Sequence, residues 1–363
     1  MNRVVVTGVG VLSPAGVGVE AFQSAMRERR PMGEPMERPG RHGRPRWLTV
    51  AKIPPFDRER YLSARSLRRM GELSQLWTLA CLLARSDAGL DAAGATAPPE
   101  KRGTFLGTGW GCTDTTCEFL EGMFRDGMAA ASPYLFAESV ANAPAGHSAI
   151  EVDARGTCVT LTCGDASATA ALATAAMALR EGRLEMAYCG GVELMTEALL
   201  RILAPVGGPS HLGEGAVCLV LETLQGARAR SARILAEICG VGLASDPQAP
   251  ATSWSHDSEV FALAMRRAVE RAGGELENER PPVGSLLLHA CGWKDSDAAE
   301  RVAGEAVCPG VRQWSITPIF GTHAAAGGMA IAAAVLQTSG QSSVLLNAHA
   351  WGGGAYSLLL RPN

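Results

Sequence analysis

The feature that most constrains the fold of this chain is an ordered internal repeat. The segment 4–13 (VVVTGVGVLS) resembles 234–245 (ILAEICGVGLAS), and 104–114 resembles 286–295 in the same order. Each half also ends in a glycine-hinged pair of apolar strands. Self-similar segments in a fixed order are typical of a duplicated unit. The repeat therefore predicts two βα halves, 1–224 and 232–363, that form one compact pseudo-two-fold unit.

Hydrophobic periodicity predicts the main elements. Apolar strands alternate with helical patterns, which favours a buried parallel or mixed sheet in each half. Helices are predicted over 66–90, 166–183 and 324–337, and the last two are rich in small residues. The segment 31–55 is rich in Pro, Gly and Arg, which indicates an excursion over the surface. The segment 225–231 is a short polar connector between the halves.

Composition excludes several classes of protein. The chain has 363 residues and a formal charge of -3, which disfavours nucleic acid as a partner. Its ten cysteines form no CxxC pair, so we expect buried free thiols in a reducing cytosol. The first residues lead directly into an apolar strand and do not resemble a signal peptide, and no apolar run reaches transmembrane length. We expect a cytoplasmic protein with no membrane partner, metal or cofactor.

Asp165 is the most conspicuous polar residue. It lies in the run 156–168 (GTCVTLTCGDASA), where an apolar strand meets a small-residue helix. A helix start stabilises a thiolate, but a carboxylate in that place cannot perform the covalent chemistry of a thiol. We interpret Asp165 as a helix N-cap; a charge contact with His289 or across a dimer interface is the alternative. Cys163 is predicted to be a buried thiol inside the strand.

Several short motifs follow one another in an order that resembles a known family. They are GTGWG at 107–111, SP at 132–133, NAPAG at 142–146, GGVE at 190–193, GEGA at 213–216, DAAE at 297–300 and WGG at 351–353. Together they resemble the β-ketoacyl synthases of the thiolase fold. The resemblance implies an α/β thiolase fold in which duplicated βα halves form a five-layer αβαβα sandwich.

The chain departs from that family at its reacting groups. Active members have a nucleophilic cysteine at the position that ungapped counting places on Asp165. His289 matches the first catalytic histidine, and His323 matches the second only if the chain is shifted by a residue or two. His349 occupies the gate position, where the family usually has phenylalanine. The segment 200–212, which helps to wall the pocket in the family, is shorter than in typical members.

A ketosynthase-like chain without the cysteine resembles the chain-length factor, or ketosynthase-β subunit, of type II polyketide synthases. The resemblance implies a heterodimer with a Cys-bearing ketosynthase, and an acyl carrier protein bearing acyl or malonyl phosphopantetheine. The chain would then shape the tunnel in which a polyketide or polyene elongates. Side chains implied to contribute to this tunnel are Trp110, Tyr134, Leu135 and His349.

Three alternatives stay open from the sequence. The first is a malonyl-carrier-protein decarboxylase that uses His289. The second is a divergent condensing enzyme that uses Cys163 or another thiol. The third is a purely structural partner that has no influence on the tunnel.

Overall fold

The computed structural model describes residues 1–94, 96–207, 209–272, 283–337 and 342–363, and within these ranges the chain forms fourteen strands and fourteen α-helices. The strands are β1 Val4–Ser13, β2 Gly16–Val17, β3 Glu34–Pro39, β4 Pro45–Ala51, β5 Arg102–Gly107, β6 Cys158–Leu161, β7 Met186–Glu193, β8 His211–Gly213, β9 Gly215–Thr223, β10 Ala236–Ser245, β11 Val283–Leu287, β12 Arg312–Trp314, β13 Ser343–His349 and β14 Gly354–Pro362. The helices are α1 Val19–Glu28, α2 Ala64–Arg69, α3 Glu72–Asp87, α4 Leu90–Ala93, α5 Thr113–Asp126, α6 Pro133–Glu138, α7 Ala143–Glu151, α8 Ser167–Arg180, α9 Glu197–Val206, α10 Leu224–Ala229, α11 Ser258–Arg271, α12 Lys294–Val307, α13 Thr317–Phe320 and α14 Ala326–Gln337.

The strand order repeats in the two halves of the chain. One mixed sheet runs β12-β11-β13-β14-β10-β1-β9-β7-β5-β6, with β2 added beside β1. Outward from the centre, the second half runs β10, β14, β13, β11, β12, and the first half runs β1, β9, β7, β5, β6 in the same pattern. Antiparallel pairing of β1 with β10, Val4 opposite Ile238, joins the halves. The repeat in the sequence thus corresponds to a repeat in topology.

Glycines allow a helix to lie directly on the first strand of each half. A Cβ atom at Gly10 in β1 would lie 2.1 Å from the Ala80 carbonyl oxygen of α3. A Cβ atom at Gly242 in β10 would lie 1.9 Å from the Ala264 carbonyl oxygen of α11. Only glycine fits such a close approach between backbones. This shared requirement explains why the Gly-Val-Gly motif occurs in both repeats.

The helices form layers on either side of the sheet halves. α3 and α7 pack on the outer side of the first half, and α11 and α12 cover the second. α8 and α14 lie between the two halves and contact each other. Small residues permit this contact, because a Cβ atom at Gly327 would lie 2.1 Å from the Thr169 hydroxyl oxygen. The predicted helices over 166–183 and 324–337 are confirmed as α8 and α14, each slightly shorter.

The predicted single helix over 66–90 is wrong, since the chain breaks into α2 and α3 at Met70 and Gly71. Both residues have extended backbone angles. Buried Glu138 of α6 explains the break, because its carboxylate accepts hydrogen bonds from the Gly71 N–H at 2.9 Å and the Ser74 hydroxyl at 3.2 Å. A distant side chain therefore caps α3.

Two predicted irregular segments contain regular structure. The segment 31–55, predicted as a surface excursion, contains the antiparallel hairpin β3–β4, and β8 joins β4 as a third strand. Leu48 and Val50 of this hairpin are buried, whereas Trp47 is exposed. Most of the predicted polar connector over 225–231 belongs to the helix α10, Leu224–Ala229. The prediction of buried thiols also fails at Cys158, which is exposed on β6.

None of the helices in the described ranges has the length and apolarity that a membrane span requires. Among those same residues, the His, Cys, Asp and Glu side chains form no group of three or more that could hold a metal ion.

Candidate functional site

A tight turn carries the chain from β6 into α8 and places Asp165. β6 ends at Leu161, and a 3₁₀ turn over Gly164–Ala166 precedes the helix. Cys163 therefore lies between β6 and the 3₁₀ turn. The prediction that it lies inside the strand is wrong. Its N–H donates to the Ser167 hydroxyl at 2.8 Å, and the Tyr356 hydroxyl donates to its sulfur at 3.7 Å.

The predicted capping role of Asp165 is wrong. The N-cap residues of the 3₁₀ turn and of α8 are Cys163 and Ala166, and neither makes a side-chain capping hydrogen bond. The 3₁₀ turn instead places the Asp165 side chain in the wall of a cavity, where its Oδ2 accepts a hydrogen bond from the Thr322 hydroxyl at 3.4 Å.

This cavity, of about 210 Å³, is the candidate site. It lies between the two halves, because the turn before α8, the loop after β5 and the segment before α14 all contribute to it. The shortened segment 200–212 still forms one wall, through Leu203, Gly207, Pro209 and Leu212. The remaining lining residues are Gly109, Trp110, Gly164, Asp165, Glu193, Met195, Trp254, Thr322, His323, Ala324 and Trp351.

Two carboxyl groups face this cavity, and both bind protons unusually tightly. Burial raises the pKa of Asp165 to about 7, and the hydrogen bond from Thr322 opposes that shift. Burial raises the pKa of Glu193 to about 8, and the nearby charge of Asp165 adds to the increase. At neutral pH the pair therefore carries less than its full negative charge.

Glu193 connects the cavity to the loop after β5. Its Oε2 accepts the N–H groups of Gly109 at 2.7 Å and Trp110 at 3.2 Å. Its Oε1 is buried with no hydrogen-bond partner, and the residue is only 1% exposed. The sequence analysis includes Glu193 only as the last residue of the GGVE motif. A glutamate at the end of a buried strand is the signal that could have identified it as a site residue.

His323 lies in the cavity wall in its neutral form. It is 2% exposed, and neither ring nitrogen has a hydrogen-bond partner in the described part of the chain. Burial lowers its pKa to about 3, and the nearby His211 and His289 contribute to the shift. The predicted second histidine is thus at the cavity, but without a partner that orients it.

His289 is buried behind the cavity and does not line it. Its Nδ1 accepts the His349 N–H at 3.1 Å, so its proton lies on Nε2, which has no partner among the described residues. Burial lowers its pKa to about 3, His349 lowers it further, and Glu300 opposes the shift. The Glu300 carboxylate accepts the N–H groups of His289 at 2.9 Å and Ala290 at 3.0 Å, which fixes the end of β11.

The other predicted tunnel residues lie outside this cavity. His349 is buried and stacks on Phe261 with ring centroids 3.9 Å apart, and burial lowers its pKa to about 3. Tyr134 and Leu135 lie on α6, where Tyr134 is 47% exposed. Of the residues predicted for the tunnel, only Trp110 reaches the cavity, and a tunnel role for the other three stays a prediction.

Tryptophans enclose one side of the site. The Trp351 ring meets Trp110 at 5.9 Å and 86°, and Trp254 at 5.3 Å and 82°. Trp293 in turn contacts Trp254 at 5.9 Å. The sequence singled out Trp110, whereas Trp254 comes from the long loop after β10 and carried no local signal. We call Trp110, Trp254 and Trp351 the tryptophan wall.

Comparison with known proteins agrees with this architecture. The family described as "Beta-ketoacyl synthase, N-terminal domain" matches residues 1–203, more than half of the chain, so this chain belongs to the β-ketoacyl synthase family. A solved structure described as "The ishigamide ketosynthase/chain length factor" superposes with a TM-score of 0.83 at 25% identity, over 100% of this chain and 99% of that one. The predicted α/β thiolase fold is confirmed.

Two relatives show the range of the similarity. Nodulation protein E of Rhizobium leguminosarum bv. trifolii is 28% identical over 345 residues, which cover 89% of this chain and 79% of that protein. The "Putative polyketide beta-ketoacyl synthase 2" of Streptomyces coelicolor is 28% identical over 362 residues, which cover 92% of this chain and 82% of that protein.

Proposed function

We propose that this chain is a non-condensing, ketosynthase-like subunit, a chain-length factor. It would pair with a Cys-bearing ketosynthase and shape the tunnel in which a polyketide or polyene chain elongates. The observation that carries the proposal is the cavity at Asp165. Its wall holds two carboxyl groups, and no cysteine or serine occurs among the described residues that line it.

Condensation requires an activated nucleophile that accepts an acyl chain. A carboxylate attacks thioesters poorly, and the anhydride that it would form hydrolyses readily. Cys163 is two residues away, but it contacts Tyr356 and does not line the cavity. Cys291 is buried near Asp297, and burial raises the pKa of its thiol. Neither thiol is therefore placed as a nucleophile of this cavity.

Condensation also requires donors that stabilise an enolate oxygen. His289 has an Nε2–H free for this role, but the residue lies behind the cavity wall. A malonyl group would also have to place its own carboxylate beside Asp165, and the described lining residues include no lysine or arginine. These features disfavour both the decarboxylase and the condensing-enzyme alternatives.

The proposed partners are a Cys-bearing ketosynthase and an acyl carrier protein with an acyl or malonyl phosphopantetheine. The description of the ishigamide protein as a ketosynthase/chain length factor supports the first of these partners.

The tunnel role is tested by replacing Trp110 with alanine in the reconstituted pair. Trp110 lines the cavity and is 37% exposed, so removal of the indole opens space at its mouth. We expect the W110A pair to release longer products, measured by mass spectrometry of the chains held on the carrier protein. The matched control is W47A, which removes an exposed tryptophan of β4 away from the cavity. Unchanged product lengths in W110A would leave a purely structural partner as the better account.

The isolated chain separates this proposal from the enzymatic alternatives. We expect no carbon dioxide release from malonyl-carrier protein above background, and no acylated cysteine after incubation with acyl-carrier protein. Carbon dioxide release that H289A abolishes would establish the decarboxylase instead. An acylated Cys163 in the mass spectrum would establish a condensing enzyme.

A further inference from the structure

The cavity combines an aromatic wall with two carboxyl groups. The tryptophan wall presents three rings along one side of the cavity, and the rings in contact meet at nearly right angles. The lining also contains the carboxyl groups of Asp165 and Glu193, and the Glu193 carboxylate accepts the backbone N–H of Trp110. Aromatic rings and carboxylates both attract cations, the rings through their quadrupole and the carboxylates through their charge.

The buried polar atoms of the cavity have no protein partner. Glu193 is 1% exposed, and its Oε1 accepts no hydrogen bond from the described residues. Without a countercharge, burial keeps this carboxyl group protonated, and a cation in the cavity would favour its ionised form. The described lining supplies none, because it includes no lysine or arginine, and the neutral ring of His323 is its only basic side chain.

We propose that this cavity binds a small organic cation, an ammonium group carrying methyl or short alkyl substituents. The tryptophan wall would contact the alkyl groups, and the Asp165 carboxylate would neutralise the charge, joined by Glu193 when the cation displaces its proton to solvent. The size of the cavity supports a small ligand, since about 210 Å³ is below the roughly 300–1,000 Å³ of pockets for drug-sized molecules. Trp110, which is partly exposed, lies where such a ligand would enter. This site goes beyond the proposed tunnel role and does not depend on it.

The decisive experiment compares choline with 3,3-dimethyl-1-butanol, its uncharged isostere, by isothermal titration calorimetry on the full-length chain. The two probes have the same shape, so a cavity that recognises only apolar volume binds them equally. We expect choline to bind on the order of tenfold more tightly, the gain of a desolvated cation over an aromatic face. Equal affinities, or no binding of either probe, would overturn the proposal without affecting the tunnel role.

Variants assign the effect to the cavity. D165N keeps the shape of the side chain and its hydrogen bond from Thr322, but removes the charge, so we expect it to abolish the preference for choline. W351F retains a smaller ring and should weaken choline binding by less. The matched control is E121Q, which removes an exposed carboxylate on α5 and should leave both affinities unchanged. Retention of the choline preference in D165N would contradict the assignment of the charge to Asp165 and overturn the proposal in this form.

Discussion

At the scale of single residues, the ionisation of Asp165 links the cavity to stability. Its pKa rises from 3.8 to about 7 on folding, chiefly because of burial. Between these values the folded chain holds a proton that the unfolded chain has lost. Unfolding free energy therefore falls as pH rises through this interval, and the loss is complete above pH 7.

We expect D165N to become more stable than the wild type as pH rises from 4 to 7, with a smaller further increase up to about pH 8, because the charge of Asp165 also raises the pKa of Glu193. The gain should reach about 1–3 kcal/mol, below the full value of the pKa shift because Asp165 lines a cavity that solvent can enter. Urea unfolding of both proteins across this range measures it. The low pKa values of the buried histidines act in the opposite direction below pH 6.5, but they cancel in the difference. A difference that does not change with pH would contradict the assignment.

The sequence identified Asp165 and His323 but not how they are used. Ungapped spacing located the turn before α8, because the strand and helix around it have strong local patterns. It could not show that the Ser167 hydroxyl accepts the Cys163 N–H, or that Asp165 turns into the cavity instead of capping the helix. Such choices depend on residues such as Thr322, which lies far along the chain. The tryptophan wall was not predicted for the same reason, because its three residues lie far apart along the chain and meet only in the folded structure.

At the scale of elements, the close contact of β10 with α11 depends on Gly242. An added methyl group there would meet the Ala264 carbonyl oxygen at 1.9 Å. We expect G242A to reduce the unfolding free energy by about 1–3 kcal/mol, the usual cost of overpacking a core. The midpoint of urea unfolding measures the loss.

Gly122 provides the matched control for this substitution. It lies in α5, and a Cβ atom added there would meet nothing within 4 Å. G122A should therefore leave stability unchanged or raise it by about 1 kcal/mol, since alanine is the better helix former. Equal destabilisation by G242A and G122A would show that the strand-to-helix contact is not the cause.

Helix boundaries show where local patterns lose their predictive power. The small-residue helices α8 and α14 were predicted almost to their ends, because their composition fits the close packing they make. The helix predicted over 66–90 was not, because its leucine pattern continues through Gly71. Only the folded chain brings Glu138 to the Gly71 N–H, and that contact makes a separate start for α3 favourable.

At the scale of the whole molecule, no strand in the described ranges pairs with the outer side of β6. The carbonyl groups of Thr157 and Leu161 accept hydrogen bonds from the N–H groups of Thr104 in β5 and of Thr108 just after it. Because neighbouring residues of a strand alternate, Cys158 and Thr160 direct their backbone groups away from the sheet. An unpaired edge of this kind favours the addition of a strand from another chain.

We expect T160P to prevent co-purification with the Cys-bearing ketosynthase, because proline removes the outward N–H and no bond within the sheet. Size-exclusion chromatography of the co-expressed chains measures assembly. The matched control is Q313P, at the outward position of β12 on the opposite edge, which should leave assembly intact. Circular dichroism of both variants tests whether they fold. Assembly that survives in T160P would place the interface elsewhere.

The arrangement of the tryptophans also has an optical consequence. Four of the seven tryptophans, Trp110, Trp254, Trp293 and Trp351, form one connected cluster at the cavity. Their transition dipoles are close enough to couple, and the steep angles between the rings give that coupling a handedness. The near-ultraviolet circular dichroism of the unlabelled protein therefore contains a large contribution from this cluster. It reports on the state of the cavity without any added probe.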